Sequence, residues 1–220
     1  MAVEAKICGI TRPEDAAYAA AQGASRLGVV FAWGPRVVDS ARAREIVSAA
    51  GAVPVLGVVA GQGETTDLLA LARSVGLRGL QLHGASSDGT ARALSMAGLE
   101  VWRVATLAGT ATLTDVIARS RAGADAVLLE PLVEGRTGGR GEALDLTLAR
   151  EARLALTPTR VVLAGGLTPE TVAAAIRFVE PDIVDVSSGV EDAPGIKSPE
   201  RVARFLEAVR DAGAAHRSGT

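Results

Sequence analysis

Short runs of apolar, mostly β-branched residues alternate from end to end with longer amphipathic stretches rich in Ala, Arg and Glu. The apolar runs predict strands at Ala5–Cys8, Arg26–Phe31, Val53–Val59, Gly79–Leu82, Glu100–Ala105, Ala126–Glu130, Arg160–Ala164 and Asp182–Ser187. The stretches between them predict helices at Pro13–Gln22, Ala41–Ala50, Thr65–Val75, Ser86–Ala97, Ala111–Arg121, Ala143–Leu156, Pro169–Phe178 and Pro199–Ala212. Start signals open three of them: Thr11 before Pro13, Thr168-Pro169-Glu170 and Ser198-Pro199-Glu200. Gly23, Gly51, Gly76 and Gly98 sit just past four helices, where a left-handed cap is wanted. The strand runs are continuously apolar, the pattern of strands covered on both faces. Strict alternation of eight strands with eight helices predicts an α/β fold, a single-domain (β/α)8 TIM barrel over residues 1–212, with 213–220 a frayed tail. A doubly wound open sheet is the rival; it usually has fewer strands and one dominant crevice.

Length and composition agree with one such domain: 220 residues, 48% hydrophobic and 22% charged. Aromatic residues are only 3%, so helices and strands are expected to pack through small and branched side chains. A net charge of −2 leaves no basic footprint, and no nucleic-acid partner is expected. No apolar stretch approaches the roughly 18 residues that span a bilayer, and the N-terminus lacks the pattern of a signal peptide. One cysteine cannot form an internal disulfide, which fits a reducing compartment. We expect a cytoplasmic, monomeric enzyme with no membrane partner.

The chemistry-bearing residues fall at the predicted strand C-termini, where α/β barrels keep their active sites. Cys8 ends the first strand and is followed by Gly9; it is either a thiolate base or nucleophile, or a small buried hydrophobe. Lys6 has the same facing and would lower the thiol pKa or bind an anion. Arg36, in the loop after the second strand, suits a carboxylate or phosphate, or is simply solvated. His83 closes the fourth strand and either polarises a substrate oxygen or sits as a hydrogen-bonded rim residue. Glu130 ends a very apolar run, a setting that raises a carboxyl pKa and suits a general acid unless the side chain is exposed. Asp185 lies inside the last strand and should face the barrel interior or its mouth. Glycine loops at Gly138-Gly139-Arg140-Gly141, Gly165-Gly166 and Ser188-Gly189 allow backbone N–H groups to approach an anion, and the last two occupy the usual phosphate loops of a barrel. One cysteine and two distant histidines match no metal-ligand spacing, and no dinucleotide fingerprint is present, so neither metal nor cofactor is expected.

Taken in order, these segments resemble the phosphoribosylanthranilate isomerase family. The residues that carry the resemblance are Lys6-Ile7-Cys8-Gly9-Ile10-Thr11, Gly34-Pro35-Arg36, Gly57-Val58, Gln81-Leu82-His83-Gly84, Leu128-Leu129, Gly138-Gly139-Arg140-Gly141, Leu163-Ala164-Gly165-Gly166-Leu167, and Asp185-Val186-Ser187-Ser188-Gly189-Val190-Glu191 through Gly195-Ile196-Lys197. The resemblance implies a cofactor-free Amadori rearrangement of a phosphosugar substrate, with Cys8 as base and the carboxylate at position 130 as acid. It further implies that Arg36 holds the anthranilate carboxylate and Asp185 contacts the amine or a sugar hydroxyl, with Lys6 and His83 also toward substrate. The phosphate would be cradled around Gly139, Gly141, Gly165, Gly166, Ser188 and Gly189. The chain departs from the family pattern in four places: Glu130 replaces aspartate, Gly34 serine, Arg140 threonine, and Ser198 follows Lys197 in place of aspartate.

Rivals among barrel enzymes fit less well. The isomerase of histidine biosynthesis pairs aspartates at the ends of strands one and five, where this chain has Cys8 and Ala105-Thr106. Indole-glycerol-phosphate synthase relies on catalytic lysine and glutamate at several strand ends, and Lys6 is the only lysine in the first half. A barrel that binds phosphosugars as a sensor is the non-enzymatic alternative.

Overall fold

Eight parallel strands close into a barrel in chain order: β1 Glu4–Ile7, β2 Arg26–Val30, β3 Val55–Ala60, β4 Gly79–His83, β5 Glu100–Leu107, β6 Ala126–Pro131, β7 Arg160–Leu163 and β8 Ile183–Val186. The first and last strands pair directly, Lys6 opposite Asp185, which closes the ring. The computed structural model describes residues 2–61, 63–84, 86–107, 113, 122–131 and 144–218. Among these, the helices are α1 Pro13–Ala21, α2 Ser40–Ala49, α3 Thr65–Val75, α4 Asp88–Met96, α5 Leu146–Leu156, α6 Val172–Val179 and α7 Pro199–Ser218. The helix expected at Ala111–Arg121 lies outside the described residues, apart from Leu113. The closed ring excludes the open-sheet rival.

Two apolar layers explain why the strands read as continuous hydrophobic runs. Alternate residues, among them Leu56, Trp102, Leu128, Val162 and Ile183, fill the barrel interior. Their neighbours Leu27, Val29, Leu80, Leu82, Val127, Leu129, Val161 and Val184 face outward and pack into the larger layer beneath the helices. With both faces buried, no position is left to alternate.

At the strand starts the interior is ionic. Arg26 Nε lies 3.0 Å from both carboxylate oxygens of Glu100, Arg26 also pairs with Glu4, and Arg160 Nη2 is 2.5 Å from Glu4 Oε1. Trp102, fully buried, donates its indole N–H to Glu100 Oε1 at 2.8 Å. This end of the barrel is closed by charge pairs and belongs to stability.

Element boundaries follow local chemistry. Gly23, Gly51, Gly76 and Gly98 all adopt positive φ after α1 to α4, as their positions required. Helix α6 starts three residues later than expected, because the Thr168 and Thr171 hydroxyls and backbone close a separate turn, with Thr168 N donating to Thr171 Oγ1 at 2.9 Å. Helix α7 runs through Ser218, and the last two residues of the expected tail lie outside the described residues. A short antiparallel pair unforeseen in the sequence, β9 Glu191–Ala193 and β10 Ile196–Lys197, follows the 3-10 turn Ser188–Val190.

Candidate active site

Cys8 follows the last residue of β1 at the strand C-termini, and it is buried. Lys6, two residues back on the same face, is 0% exposed. Its ammonium donates to Asp185 Oδ1 at 3.0 Å and Gln81 Oε1 at 2.9 Å, and it acts electrostatically on the Cys8 thiol. Two of the three ammonium donors are thus spent on protein acceptors. Gly28 on β2 makes this possible, since a Cβ there would fall 2.8 Å from Cys8 Sγ and 2.9 Å from Lys6 Cε. Burial opposes the Lys6 charge, but Asp185 and Cys8 outweigh it and raise the lysine pKa. The expectation that Lys6 lowers the thiol pKa holds only as a partial effect. Burial pushes the thiol above its ordinary 9.0, Asp185 adds to the rise, and Lys6 offsets only part of it.

Glu130, at the end of β6, is buried beside His83 from β4. Its Oε1 lies 3.6 Å from His83 Nδ1. Burial, reinforced by the charge of Asp185 and partly offset by a hydrogen bond from Thr106 on β5, pushes Glu130 up to about 7. A carboxyl group that keeps its proton near neutrality is what a general acid needs. Burial, and then repulsion by Lys6, lowers His83 to about 4, so the imidazole is neutral under ordinary conditions. The Trp33 ring meets it edge-on at 5.6 Å. Asp185 acts electrostatically on both Cys8 and Glu130, which places thiol and carboxyl around one common charge at the same barrel mouth.

Arg36 is half of a rigid fork. Its Nε and Nη2 donate to Glu191 Oε1 and Oε2 at 2.8 and 2.6 Å, while Nη1 stays outside this pair. Lys197 Nζ donates to the same Oε1 at 2.8 Å. Two cations on one carboxylate leave a net positive cluster near the thiol. The β9–β10 hairpin brings Glu191 and Lys197 together, and it is docked on the opening motif by Thr11 Oγ1, which donates to Gly195 O at 2.5 Å. Gly9 lets Arg36 lie across the mouth: its φ is +71°, and a Cβ would stand 2.5 Å from Arg36 Cδ and 2.7 Å from Ser187 Oγ.

The loops after β7 and β8 converge. Gly165 and Gly166 turn the chain out of β7 with φ of 94° and 68°, and Ser188 opens the 3-10 turn after β8. Gly189 touches the β7 loop so closely that a Cβ would sit 1.9 Å from Leu167 O. Gly139 and Gly141 lie outside the described residues, as does Arg140.

A family model described as N-(5'phosphoribosyl)anthranilate (PRA) isomerase matches residues 5–208 of this chain. The chain belongs to the phosphoribosylanthranilate isomerase family. Among its relatives, N-(5'-phosphoribosyl)anthranilate isomerase of Pseudomonas fluorescens is 41% identical over 213 residues, covering 95% of this chain and 96% of the relative. That of Rubrobacter xylanophilus is 40% identical, covering 93% and 98%. The phosphoribosyl anthranilate isomerase structure from Thermotoga maritima superposes with a TM-score of 0.83 at 30% identity, covering 95% and 99%. A phosphoribosyl anthranilate isomerase has also been solved with reduced 1-(o-carboxyphenylamino)-1-deoxyribulose 5-phosphate bound, and it matches with a TM-score of 0.81, 30% identity, and coverage of 95% and 99%.

Within this family frame, Cys8, Lys6, Asp185, His83, Glu130 and Arg36 meet at one end of the barrel. Sequence reasoning assigned no role to Gln81, Thr106, Glu191 or Lys197. Gln81 carried a signal, standing two residues before His83 and so on the same strand face. Glu191 and Lys197 carried another, as opposite charges flanking the Pro194-Gly195 turn of a hairpin.

Proposed function

We propose that this chain converts N-(5-phosphoribosyl)anthranilate to 1-(2-carboxyphenylamino)-1-deoxyribulose 5-phosphate, an isomerisation of tryptophan biosynthesis that moves only protons. Support comes from the family and from one feature above all: a buried carboxyl group held protonated near pH 7 and a buried thiol share the field of Asp185.

Glu130 gives its proton to the furanose ring oxygen. The bond from C1 to that oxygen breaks, its electron pair stays on oxygen, and the anthranilate nitrogen lone pair forms the C=N bond of the Schiff base. Cys8, as thiolate, takes the hydrogen from C2, and the electrons left behind form the enolamine. Tautomerisation returns one proton to C1 and releases one from the 2-hydroxyl. The ketone results, Cys8 ends without its proton and Glu130 regains one, so the cycle closes.

Asp185 contacts the amine or a sugar hydroxyl. The free edge of Arg36 takes the anthranilate carboxylate beside the positive cluster it forms with Lys197. The loops at Gly165, Gly166, Ser188 and Gly189 offer backbone N–H groups to the phosphate, joined by Gly139 and Gly141. Lys6 acts on the thiol and Asp185, since it is fully buried and holds Gln81 and Asp185. No described helix is long and apolar enough to cross a membrane, and we place the reaction in the cytoplasm. The test is a turnover assay following the fluorescence of freshly made substrate. Saturable consumption is expected, and binding without consumption would leave a phosphosugar sensor in its place.

A further inference from the structure

A line of contacts that begins at Lys6 reaches the acid and fixes the direction of every hydrogen bond on the way. An ammonium has donors only, so the Gln81 atom 2.9 Å from Lys6 Nζ is the carbonyl Oε1. The opposite flip of the amide would press N–H against N–H. The Gln81 NH2 is therefore the group 2.7 Å from His83 Nε2. An imidazole nitrogen that receives an N–H carries none of its own, so the single ring proton sits on Nδ1. Nδ1 faces Glu130 Oε1 at 3.6 Å, and among the described residues neither atom has a hydrogen-bond partner. Both side chains are more than nine-tenths buried, His83 at 7% exposed and Glu130 at 5%. The same directionality rules out an imidazolium–carboxylate pair, because a second ring proton on Nε2 would meet the amide NH2 head-on.

We propose that Gln81 and His83 are positioning residues for the acid: Gln81 locks the histidine tautomer, and the Nδ1–H is held ready to receive the charge that appears on Glu130 when it protonates the ring oxygen. This rests on Glu130 being the acid. In the resting state the neutral carboxyl and the imidazole stand just beyond hydrogen-bond distance. Once the proton leaves, the Nδ1–H donates to the carboxylate and no proton leaves the ring. Among the described residues, the other polar and charged groups facing the pair are Lys6 on β1, Thr106 on β5 and Asp185 on β8, with the Trp33 ring against the imidazole. None of the described residues but Thr106 offers the carboxylate a hydrogen bond, so His83 supplies the second donor.

The tautomer is read directly by nitrogen NMR of the 15N-histidine protein, with His216 replaced for assignment. Nδ1 is expected to resonate as protonated and Nε2 as unprotonated. Gln81→Glu, which keeps an oxygen toward Lys6 but presents a second acceptor to the ring, is expected to move the proton to Nε2. His83→Leu should lower kcat about ten- to a hundredfold, the value of one donor to a developing charge. It should also shift the Glu130 titration in the pH–rate profile upward, because a lost donor disfavours the ionised form. His83→Asn, whose side-chain NH2 stands near the place of Nδ1, should recover most of both. A wild-type ring protonated on Nε2, or a His83→Leu profile with the Glu130 titration unmoved, overturns the proposal. Full activity in Glu130→Gln would overturn the acid reading instead, and the tautomer measurement separates the two failures.

Discussion

Arg36 and Glu191 form a bidentate pair across the barrel mouth, with contacts of 2.8 and 2.6 Å, although 155 positions separate them in sequence. Such a fork fixes the guanidinium plane and leaves Nη1 outside the pair, the edge proposed for substrate. Arg36→Lys should therefore behave much like Arg36→Ala, since a lysine cannot make two parallel bonds. We expect KM to rise about tenfold or more in both, with kcat changed less. Steady-state kinetics checks this; an unchanged KM in Arg36→Ala contradicts the carboxylate role. Glu191→Ala removes the carboxylate shared by Arg36 and the buried Lys197 and should cost about 3 kcal/mol in urea unfolding as well as raising KM.

Cys8→Ala keeps the packing of a small buried side chain but removes the thiol proposed as base. Proton abstraction by a placed group is worth about 10²–10⁴ in rate, so kcat should fall by that order while KM moves little. A variant with near-native turnover takes Cys8 out of the mechanism.

The pH profile follows from the two perturbed groups. The acid must hold its proton and the base must have lost its own. Burial places Glu130 at about 7 and lifts the Cys8 thiol above 9.0. The fraction of protein in the productive state then rises as the pH approaches 7, stays level up to the thiol pKa and falls beyond it. The rising limb of kcat/KM thus belongs to Glu130, although the group that loses its proton in the productive state is Cys8. Glu130→Asp should stay active and move that limb downward by about half a unit, the ordinary difference between the two carboxyl groups. A limb that ignores Glu130→Asp and follows substitutions at Cys8 reverses the assignment.

The barrel was legible because hydrophobic burial is local in pattern: strands buried on both faces read as unbroken apolar runs, and the capping glycines mark where helices stop. Glu130 was legible for the same reason, as a carboxyl group ending an apolar run. What was hidden is pairwise geometry. No spacing says that Arg36 meets Glu191, or that a hairpin docks on Thr11 to bring Lys197 alongside. The lowering of the thiol pKa by Lys6 was legible two residues away, while the opposing effects that together outweigh it, the depth of burial and Asp185, depend on strands closing from the far end of the chain.

Gly189 is a sharper probe of the loops proposed to hold phosphate than any side chain there. A methyl group would collide with Leu167 O, so the β7 and β8 loops must part to accept it. Because both loops lie at the mouth, Gly189→Ala should raise KM by about tenfold or more and lower the melting temperature. Inorganic phosphate, as a competitive inhibitor, should weaken in parallel. Unaltered phosphate inhibition would remove these loops from phosphate binding.

Glu130 and His83 also make opposing contributions to stability. An ordinary glutamate ionises near 4.5, whereas folded Glu130 waits until about 7. Between those values the unfolded chain releases a proton that the folded chain keeps, so raising the pH through this window costs about 3 kcal/mol of stability. An ordinary histidine titrates near 6.5, whereas folded His83 titrates near 4. As pH falls through that window the unfolded chain takes up a proton that the folded chain refuses, so His83 costs a similar amount in the acid direction. The two slopes cancel over most of their common range. Relative to the parent, Glu130→Gln should gain about 3 kcal/mol between pH 4 and pH 8, while His83→Asn should lose ground over the same range. Urea unfolding of the three proteins across that range gives two difference curves of opposite slope. Parallel curves would show that neither group is held from its ordinary titration by the fold.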